Sequence, residues 1–256
     1  MEGRFALVLL AIDTATPVAG VALADESKIL FEIKANLGFN HSRTILRMVE
    51  SMLDLAGIRL GEVDALAVTT GPGSFTGLRI GLATAKGLAM ASAKPIIGIS
   101  TLDALAYNYC WAAPLMCPIL NARKSEVYTA FYRGGTEFPE RITDYMALSP
   151  EDLIIRSRDI IEREAATHMV FTGDGLPVYG ELLETELGAL AKCAPRVLAY
   201  PSAASAARLA IKRMECGEID DIYDITPVYV RLSEAEYKLS LSTEHQANDG
   251  SEDQGV

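Results

Sequence analysis

A hydrophobic strand, a glycine-rich turn and an apolar helix follow one another between Val63 and Ala91, and this succession constrains the fold more than any other segment. The strand ends at the turn 71–73, which reads Gly-Pro-Gly, and Ser74 or Thr76 begins the helix. A helix that starts there points free backbone N–H groups at the space beyond the strand end. The sequence therefore predicts either an anion or a close backbone neighbour at that point.

The surface of this helix carries a stripe of small residues. Gly77, Gly81, Ala85 and Ala89 recur every four residues, so one side of the helix has almost no side-chain bulk. Another helix could approach such a stripe closely. The stripe could equally pack on the sheet of its own domain, since small buried residues are common there. We take the docking stripe as the prediction to test.

Strand and helix patterns alternate along the chain. In the first half they predict strands at 4–13, 19–24 and 27–35, a helix at 42–56, the strand before Gly71, the helix to Ala91, a strand at 95–99 and a helix at 101–109. In the second half they predict strands at 116–120, 125–132 and 169–172, helices at 150–156 and 202–215, and a docked extended segment at 227–231. Each half opens with a hairpin, so the pattern favours an α/β fold with two similar halves.

The helix at 42–56 has more apolar residues than one buried face needs. With Ile45 and Met52 facing the sheet, Leu46, Met48 and Leu55 fall on another side. Such a helix tends to be covered twice, although three scattered exposed apolar residues would also be ordinary. Together with the small stripe, the pattern predicts a docking surface made of Leu46, Met48, Leu55, Gly77, Gly81, Ala85 and Ala89.

Net charge and composition narrow the choice of partners. The 256 residues carry a formal net charge of −11, which opposes direct binding to RNA, because nucleic-acid affinity comes largely from lysine and arginine. The four cysteines show no CxxC spacing and no nearby histidine, so neither a zinc site nor a disulfide framework is indicated. The sequence shows no cleavable leader and no apolar run long enough for a membrane helix. We therefore expect a cytoplasmic protein that does not enter membranes.

Motifs for catalysis are scarce. The three histidines lie far from one another and from the cysteines, so no helical metal pair can form. The sequence contains no GxSxG elbow, no P-loop lysine and no dinucleotide fingerprint. Asp13, Asp103 and Asp174 are candidate acid–base residues by position only. Asp13 could face a phosphate-bound metal, or it could be a turn residue that accepts local N–H groups. No catalytic residue is assigned.

Several segments resemble the bacterial TsaB (YeaZ-like) family. They read LLAIDTATPVAGVAL, FNHSRTIL, GPGSFTGLRIGLATAKGLA, PILNARKSEVYTAFY and PVYVR, and the resemblance covers most of the chain up to about Leu232. It implies the actin, Hsp70 and sugar-kinase (ASKHA) fold group, with two α/β domains, each a mixed sheet flanked by helices. We therefore expect one domain at 1–109, a second at 110–232 and a disordered tail at 233–256.

The resemblance also implies a function. Members of the family are the dimerising partner of the TsaD transferase, which installs a threonylcarbamoyl group on the adenosine beside the tRNA anticodon, and the ATPase TsaE completes the machinery. A non-catalytic subunit is therefore implied, which binds and activates TsaD, contacts tRNA only indirectly and forms a homodimer when alone. In TsaD two histidines four residues apart bind a metal, whereas the matching positions here are Thr101 and Leu105. Asn121 stands where other members have an aspartate.

Two alternatives to this implied function stay open. The ASKHA group binds ATP between its domains, and Asp13, Thr14, Gly73 and Gly175 stand where its phosphate loops belong. A nucleotide-binding switch is therefore possible, with ATP or ADP at the interface with TsaD. A metallopeptidase, the second alternative, would need a metal site, and none can be assembled from these residues. We expect neither a metal nor an intrinsic cofactor.

Overall fold

The computed structural model describes residues 7–36, 38, 41–123 and 125–230. The first sheet consists of β1 (Leu9–Asp13), β2 (Ala19–Ala24), β3 (Ile29–Ala35), β4 (Ala65–Gly71) and β5 (Ile96–Ser100). Their order across the sheet is β3-β2-β1-β4-β5. Neighbours among β1, β2 and β3 pair antiparallel, whereas β4 and β5 run parallel to β1.

The second sheet repeats this arrangement. Its strands are β6 (Leu115–Arg123), β7 (Glu126–Thr129), β8 (Tyr132–Arg133), β9 (Glu140–Arg141), β10 (Met146–Leu148), β11 (Met169–Thr172) and β12 (Ala191–Cys193). The main path is β10-β7-β6-β11-β12, with antiparallel pairs up to β6 and parallel pairs beyond it, and β8 pairs with β6 and β9. The two sheets therefore share one strand order and one pattern of strand directions.

Among the described residues, six α-helices cover the sheets. They are α1 (His41–Ala56), α2 (Phe75–Ser92), α3 (Thr101–Tyr107), α4 (Pro150–Arg163), α5 (Leu176–Leu187) and α6 (Ala203–Glu215). Side chains alternate along β1, so Leu10 and Ile12 face α1 and α2, whereas Leu9 and Ala11 face α6. The boundary predicted between residues 109 and 110 thus separates the strands of the two sheets, but α6 returns to pack on the first sheet.

Most predicted elements are present, with bounds that differ by a few residues. β2 and β11 have the predicted bounds, whereas α4 extends to Arg163, well beyond the predicted end. The residue pattern does not predict α5, because Pro177 and Gly180 resemble turn residues. Proline in the first turn of a helix is tolerated, because the N–H that it lacks has no partner inside the helix. The tail predicted at 233–256 lies outside the described residues.

Within the described ranges, no helix combines the length and the apolar character that crossing a bilayer requires.

Candidate docking face and candidate ligand sites

The turn after β4 fixes the start of α2. Gly71 has a φ of +120°, a conformation that L side chains rarely adopt, so the turn requires glycine there. Ser74 caps the helix, and its hydroxyl oxygen accepts a hydrogen bond of 3.2 Å from the N–H of Gly77. The N–H of Ser74 donates to the carbonyl of Ala15 at 2.7 Å. The close backbone neighbour of this turn is therefore the chain's own β1–β2 hairpin.

The stripe of small residues on α2 faces the interior, so its prediction as a docking surface is wrong. Gly77, Gly81, Ala85 and Ala89 are all buried. The hydroxyl of Thr14 donates a 2.7 Å hydrogen bond to the carbonyl of Gly77, and a Cβ atom built on Gly81 would overlap that hydroxyl. The hairpin and the first sheet fill the space that a partner was expected to fill.

The three apolar residues of α1 have different environments. Met48 is only 8% exposed and packs in the core, so its prediction as a docking residue is wrong. Leu46 and Leu55 are 53% and 71% exposed, and both are available to a partner. Because they are nine residues apart, they lie on opposite flanks of the helix and cannot form one patch.

α2 carries a second set of small residues on its outer side, which was not among the predicted docking residues. Thr76, Ala83, Gly87 and Ala91 are exposed, and their spacing places them on one side of the helix. A Cβ atom built on Gly87 would meet no atom within 4 Å, so nothing in the described part of the chain requires glycine there. Met90, which is 61% exposed, borders this row. The sequence feature that could have revealed this row is a glycine inside a helix at a position where the chain's own packing does not require one.

A groove of about 480 Å³ lies between α1, the segment 58–60 that follows it, and Leu88 of α2. Apolar side chains dominate its lining, and charged side chains stand beside them; the apolar ones are Leu46, Val49, Leu53, Ile58, Leu60 and Leu88, and the charged ones are Glu50, Asp54 and Arg59. This groove, the outer row of α2 and Leu46 form what we call the outer face of α1 and α2. It can accept apolar side chains from another protein.

The candidate phosphate-binding residues are only partly brought together. Asp13 and Thr14 lie at the end of β1, and the hairpin that holds them packs against Gly73, where a Cβ atom would overlap the carbonyl of Ala15. Gly175 lies at the second sheet, and its N–H donates to the carbonyl of Ile119 at 3.1 Å. Asp13 and Thr14 have no exposed surface, so a phosphate cannot reach them without movement of the hairpin. Nucleotide binding stays a prediction.

Asp13 is a buried carboxyl group with one unused oxygen. Its Oδ1 accepts hydrogen bonds from the hydroxyl of Thr69 at 2.7 Å and from the N–H of Ala15 at 3.1 Å. Its Oδ2 has no hydrogen-bond partner in the described part of the chain. Burial raises the pKa of Asp13 above its usual range, and the bond from Thr69 opposes that rise. The turn role considered for Asp13 is thus present, since Ala15 donates to it.

Asp103 joins the two halves of the chain. Its Oδ1 accepts a 2.6 Å hydrogen bond from the hydroxyl of Tyr132, and its Oδ2 accepts one of 2.9 Å from the hydroxyl of Tyr145. Burial raises the pKa of Asp103, and the two tyrosine bonds oppose the rise. The carboxylate connects α3 to β8 and to the segment before β10. Both of its oxygens are therefore occupied by structural contacts.

Asp174 follows β11 and is likewise engaged within the chain. Its Oδ1 accepts a 2.8 Å hydrogen bond from the N–H of Asn121 on β6. Burial raises the pKa of this carboxyl group, and the bond from Asn121 opposes the rise. The three candidate acid–base residues thus lie apart, with Asp13 at the end of β1, Asp103 in α3 and Asp174 in the turn after β11, and each has its own hydrogen-bond partners. The structure gives no acid–base pair among them.

The segment after α6 runs back along the first sheet. The N–H of Val228 donates to the carbonyl of Thr70 at 2.8 Å, and the ring of Tyr229 lies 5.4 Å from that of Phe75. The predicted docked segment is confirmed for residues 227–230, and residue 231 lies outside the described residues. A cavity of about 540 Å³, lined by both polar and apolar side chains, lies between this segment, β5 and α6. Arg213 at its edge is already paired with Asp220 and Glu218.

Comparison with known proteins decides the family. Residues 36–239 match the family model described as TsaD, tRNA N6-adenosine threonylcarbamoyltransferase. A protein of Bacillus subtilis named tRNA threonylcarbamoyladenosine biosynthesis protein TsaB is 30% identical over 234 residues, which cover 91% of this chain and 97% of that protein. The chain belongs to the TsaB family.

Further members of the TsaB family agree. The Escherichia coli protein of the same name is 41% identical over 130 residues, or 49% of this chain and 54% of that protein. The solved structure of YeaZ from Pseudomonas aeruginosa is 30% identical, with a TM-score of 0.74, and the match covers 87% of this chain and 99% of that chain. The fold described above is therefore the fold of a solved TsaB/YeaZ structure.

In this TsaB-family chain, the positions that correspond by sequence resemblance to the metal-binding histidines of TsaD are Thr101 and Leu105. Both are buried, at the start of α3 and one turn later. Leu105 packs in the hydrophobic core, and its side chain has no atom that could bind a metal. No cluster of three or more histidine, cysteine, aspartate or glutamate side chains that could hold a metal occurs in the ranges that the structure describes. A TsaD-like metal site does not fit these residues.

Proposed function

We propose that this chain is a non-catalytic subunit that binds and activates a TsaD-like transferase through the outer face of α1 and α2. In this role it supports threonylcarbamoylation of the adenosine beside the tRNA anticodon, in the cytoplasm. The name of its relatives, tRNA threonylcarbamoyladenosine biosynthesis protein, supports the pathway. The observation that carries the docking surface is Gly87, which is exposed inside a helix with nothing near it.

Gly87 lowers the stability of α2, and no contact within the described part of the chain requires glycine at this position. A glycine in a helix interior is less favourable than alanine by about 1 kcal/mol, since glycine loses more backbone entropy on folding. On the same side of α2, Ala83 and Ala91 are also small. The distance between two packed helices depends on the side chains at their contact, so this row permits close approach of a partner helix. Contact with another protein explains the residue; the chain's own fold does not.

Exposed apolar groups beside this row supply the area that a stable contact needs. Leu46 and Met90 are more than half exposed, and the groove between α1 and α2 is lined mainly by apolar side chains. Methionine and aromatic residues are enriched at the centres of protein interfaces, and large exposed apolar patches mark binding sites. A stable heterodimer would bury roughly 1,200–2,000 Å² in total. This is within reach of two helices and the groove between them.

The non-catalytic role rests on the state of the candidate carboxylates. Asp13 is fully buried, and both oxygens of Asp103 accept tyrosine hydroxyls. Asp174 accepts the N–H of Asn121. A catalytic acid or base must reach a substrate proton within hydrogen-bond distance. These side chains hold the chain's own structure together instead, so we assign the chemistry to the TsaD-like partner.

The remaining partners follow from the same proposal. The net charge of −11 makes direct binding of RNA by this chain unfavourable, so the transferase would make most of the contacts with the tRNA. A TsaE-like ATPase would act on the assembled complex. ATP or ADP would bind at the junction with the TsaD-like chain rather than at the buried Asp13 and Thr14 of this chain alone.

Reconstitution of threonylcarbamoylation from purified subunits tests the proposal. Omission of this chain is expected to abolish modification of tRNA, whereas Asp174→Asn, which changes a candidate acid–base residue, is expected to keep it. A complex that forms normally with Asp174→Asn but fails to modify tRNA would place chemistry on this chain. Full modification with this chain omitted would refute its role as an activating subunit.

A further inference from the structure

We propose that the segment 231–256 of this chain docks in the groove between α1, residues 58–60 and Leu88 of α2, and competes there with a TsaD-like chain. The proposal rests on the outer face of α1 and α2 being the docking surface for that partner, and it adds a regulator of this surface. The described part of the chain ends at Val230, and the sequence continues for 26 residues after it.

The described chain ends beside the start of α2. The N–H of Val228 donates to the carbonyl of Thr70 at 2.8 Å, which fixes the backbone next to the end of β4. The ring of Tyr229 lies 5.4 Å from that of Phe75, and its hydroxyl accepts a hydrogen bond of 3.3 Å from Nε of Arg79. The segment 231–256 therefore begins next to the first two turns of α2.

The groove lies within reach of this starting point. Leu88, which lines the groove, follows Phe75 by 13 residues, or about 20 Å along the helix. At about 100° per residue the two lie on opposite flanks of α2, so the segment must also cross a helix about 10 Å wide. The nine residues from Val230 to Leu239 can span about 30 Å when extended. Leu239 can therefore reach the groove with length to spare.

The path from Phe75 to the groove that avoids the buried side of α2 crosses its outer row. Thr76, Ala83, Gly87 and Ala91 are exposed there. A Cβ atom built on Gly87 would meet no atom within 4 Å. Because the side chains of this row are small, a stretch of backbone can lie close against the helix. The row that admits a partner helix thus also admits the chain's own segment.

The sequence of the segment suits an apolar groove at one place. Three apolar residues alternate there with three polar ones: Tyr237, Leu239 and Leu241 with Lys238, Ser240 and Ser242. In extended backbone, alternate side chains point to opposite sides, so the three apolar side chains share one side. The groove is lined mainly by leucine, isoleucine and valine, and its volume of about 480 Å³ falls in the range of ligand pockets, roughly 300–1,000 Å³. One side of residues 237–242 therefore matches the groove.

The charges at the groove complement the same stretch. Glu50 and Asp54 line the groove, and neither takes part in an ion pair with another described residue. Lys238 is the one lysine or arginine between residues 232 and 256. It lies between Tyr237 and Leu239, so it reaches the edge of the groove when they enter it. Exposed ion pairs contribute little to affinity, so this contact orients the segment more than it holds it.

A weak contact is sufficient for regulation because the segment is covalently linked to the groove. Short linkers give effective concentrations in the millimolar range. A segment whose free form binds with a Kd of about 0.1 mM would, at an effective concentration of about 1 mM, fill the groove about nine-tenths of the time. The affinity for a competing partner then falls about tenfold, since only the open fraction can bind it. A TsaD-like chain must displace the segment in order to dock.

Binding of the free peptide 233–256 tests the docking directly. Fluorescence anisotropy of the labelled peptide is measured with a variant that ends at Leu232 and with the unchanged chain. The shortened variant is expected to bind the peptide saturably, and the unchanged chain about tenfold more weakly, because its own segment fills the groove. Equal binding to both chains, or no binding to the shortened one, would overturn the proposal.

Two exposed leucines of α1 supply matched variants of the shortened chain. Leu46 is 53% exposed and lines the groove, whereas Leu55 is 71% exposed on the opposite flank of the helix. Leu46→Gln is expected to weaken peptide binding about tenfold, and Leu55→Gln to leave it unchanged. Circular dichroism checks that both variants fold. Equal effects of the two substitutions would refute the groove as the binding site.

The affinity for a TsaD-like chain tests the competition. In the full chain, L239N/L241N is expected to bind that partner about tenfold more tightly than the unchanged chain, whereas S240N/S242N, on the other side of the alternation, should bind as the unchanged chain does. Equal affinities of all three would overturn the competition and leave the proposed function standing. A TsaD-like chain that binds none of them would refute the proposed function and the competition together, whereas peptide binding would still decide the docking.

Discussion

The hydroxyl of Thr14 lies 2.7 Å from the carbonyl of Gly77, and this hydrogen bond joins the β1–β2 hairpin to the first turn of α2. The contact explains two properties of the molecule. It fills the space beyond β1 with protein, so the hairpin leaves no exposed surface on Thr14 or Asp13. It also uses the inner small residues of α2 for the chain's own packing, which leaves the outer row for a partner.

Replacing the inner and outer glycines of α2 should have opposite effects on stability. Gly81→Leu is expected to lower the free energy of unfolding by about 3 kcal/mol or more, because its side chain would overlap the Thr14 hydroxyl in a packed interior. Gly87→Ala is expected to raise it by about 0.5–1 kcal/mol, because nothing lies within 4 Å of the new Cβ atom. Urea unfolding measures both values, and equal stabilities would contradict the orientation of α2.

The bond between Tyr132 and Asp103 should stabilise the junction of the two halves. Tyr132→Phe removes a 2.6 Å hydrogen bond to a buried carboxyl group and is expected to cost about 1.5–3 kcal/mol. Tyr128→Phe on β7 is the matched control, with an expected change near zero. Chemical denaturation of the two variants provides the comparison. A loss below about 0.5 kcal/mol for Tyr132→Phe would mean that the junction does not depend on this bond.

The raised pKa of Asp13 predicts how stability depends on pH. Burial makes the folded state hold the proton more tightly than the unfolded state, so the contribution of this group is full below its unfolded pKa. That contribution is lost as the pH rises through the folded pKa. The unchanged chain should therefore lose stability relative to Asp13→Asn as the pH rises from about 4 towards neutrality. Unfolding midpoints at several pH values check this, and a difference that grows in the other direction would show a stabilised carboxylate.

The isolated chain should not bind nucleotide measurably. Asp13 and Thr14 are fully buried, so ATP and ADP have no exposed phosphate site at the hairpin. Calorimetric titration of the chain alone is expected to show no saturable heat, and the same titration with the TsaD-like partner present reports any site at the junction. Stoichiometric binding by the isolated chain, lost in Asp13→Asn, would favour the nucleotide-binding switch instead.

Residue types and their spacing correctly predicted the features that depend on neighbours in the sequence. The turn after β4, the Ser74 cap and the hairpins that open both halves all follow from residue types and spacing. Helical spacing also shows which residues share a face, but not whether that face points inward. α2 has small residues on both sides, so spacing alone could not choose between Gly81 and Gly87.

The parts that the sequence could not predict depend on distant pairings. Asp103 meets Tyr132 and Tyr145 across the junction of the halves, and α6 packs on the first sheet although it follows the second. Neither contact leaves a periodic signal in the residues around it. The prediction that Met48 is a docking residue was wrong because this residue lies at the border between the exposed and the buried face of α1. Spacing along the helix does not show on which side of that border a residue falls.

The affinity of Gly87 variants for the cognate TsaD-like chain tests the central claim most directly. Gly87→Leu is expected to weaken binding by about a hundredfold, or about 3 kcal/mol, because it fills the row that the partner helix must approach. Gly87→Ala and Ala189→Leu, an exposed position beyond α5, should bind nearly as the unchanged chain does. If Gly87→Leu folds and binds the TsaD-like chain with unchanged affinity, the outer face of α1 and α2 is not where the partner docks.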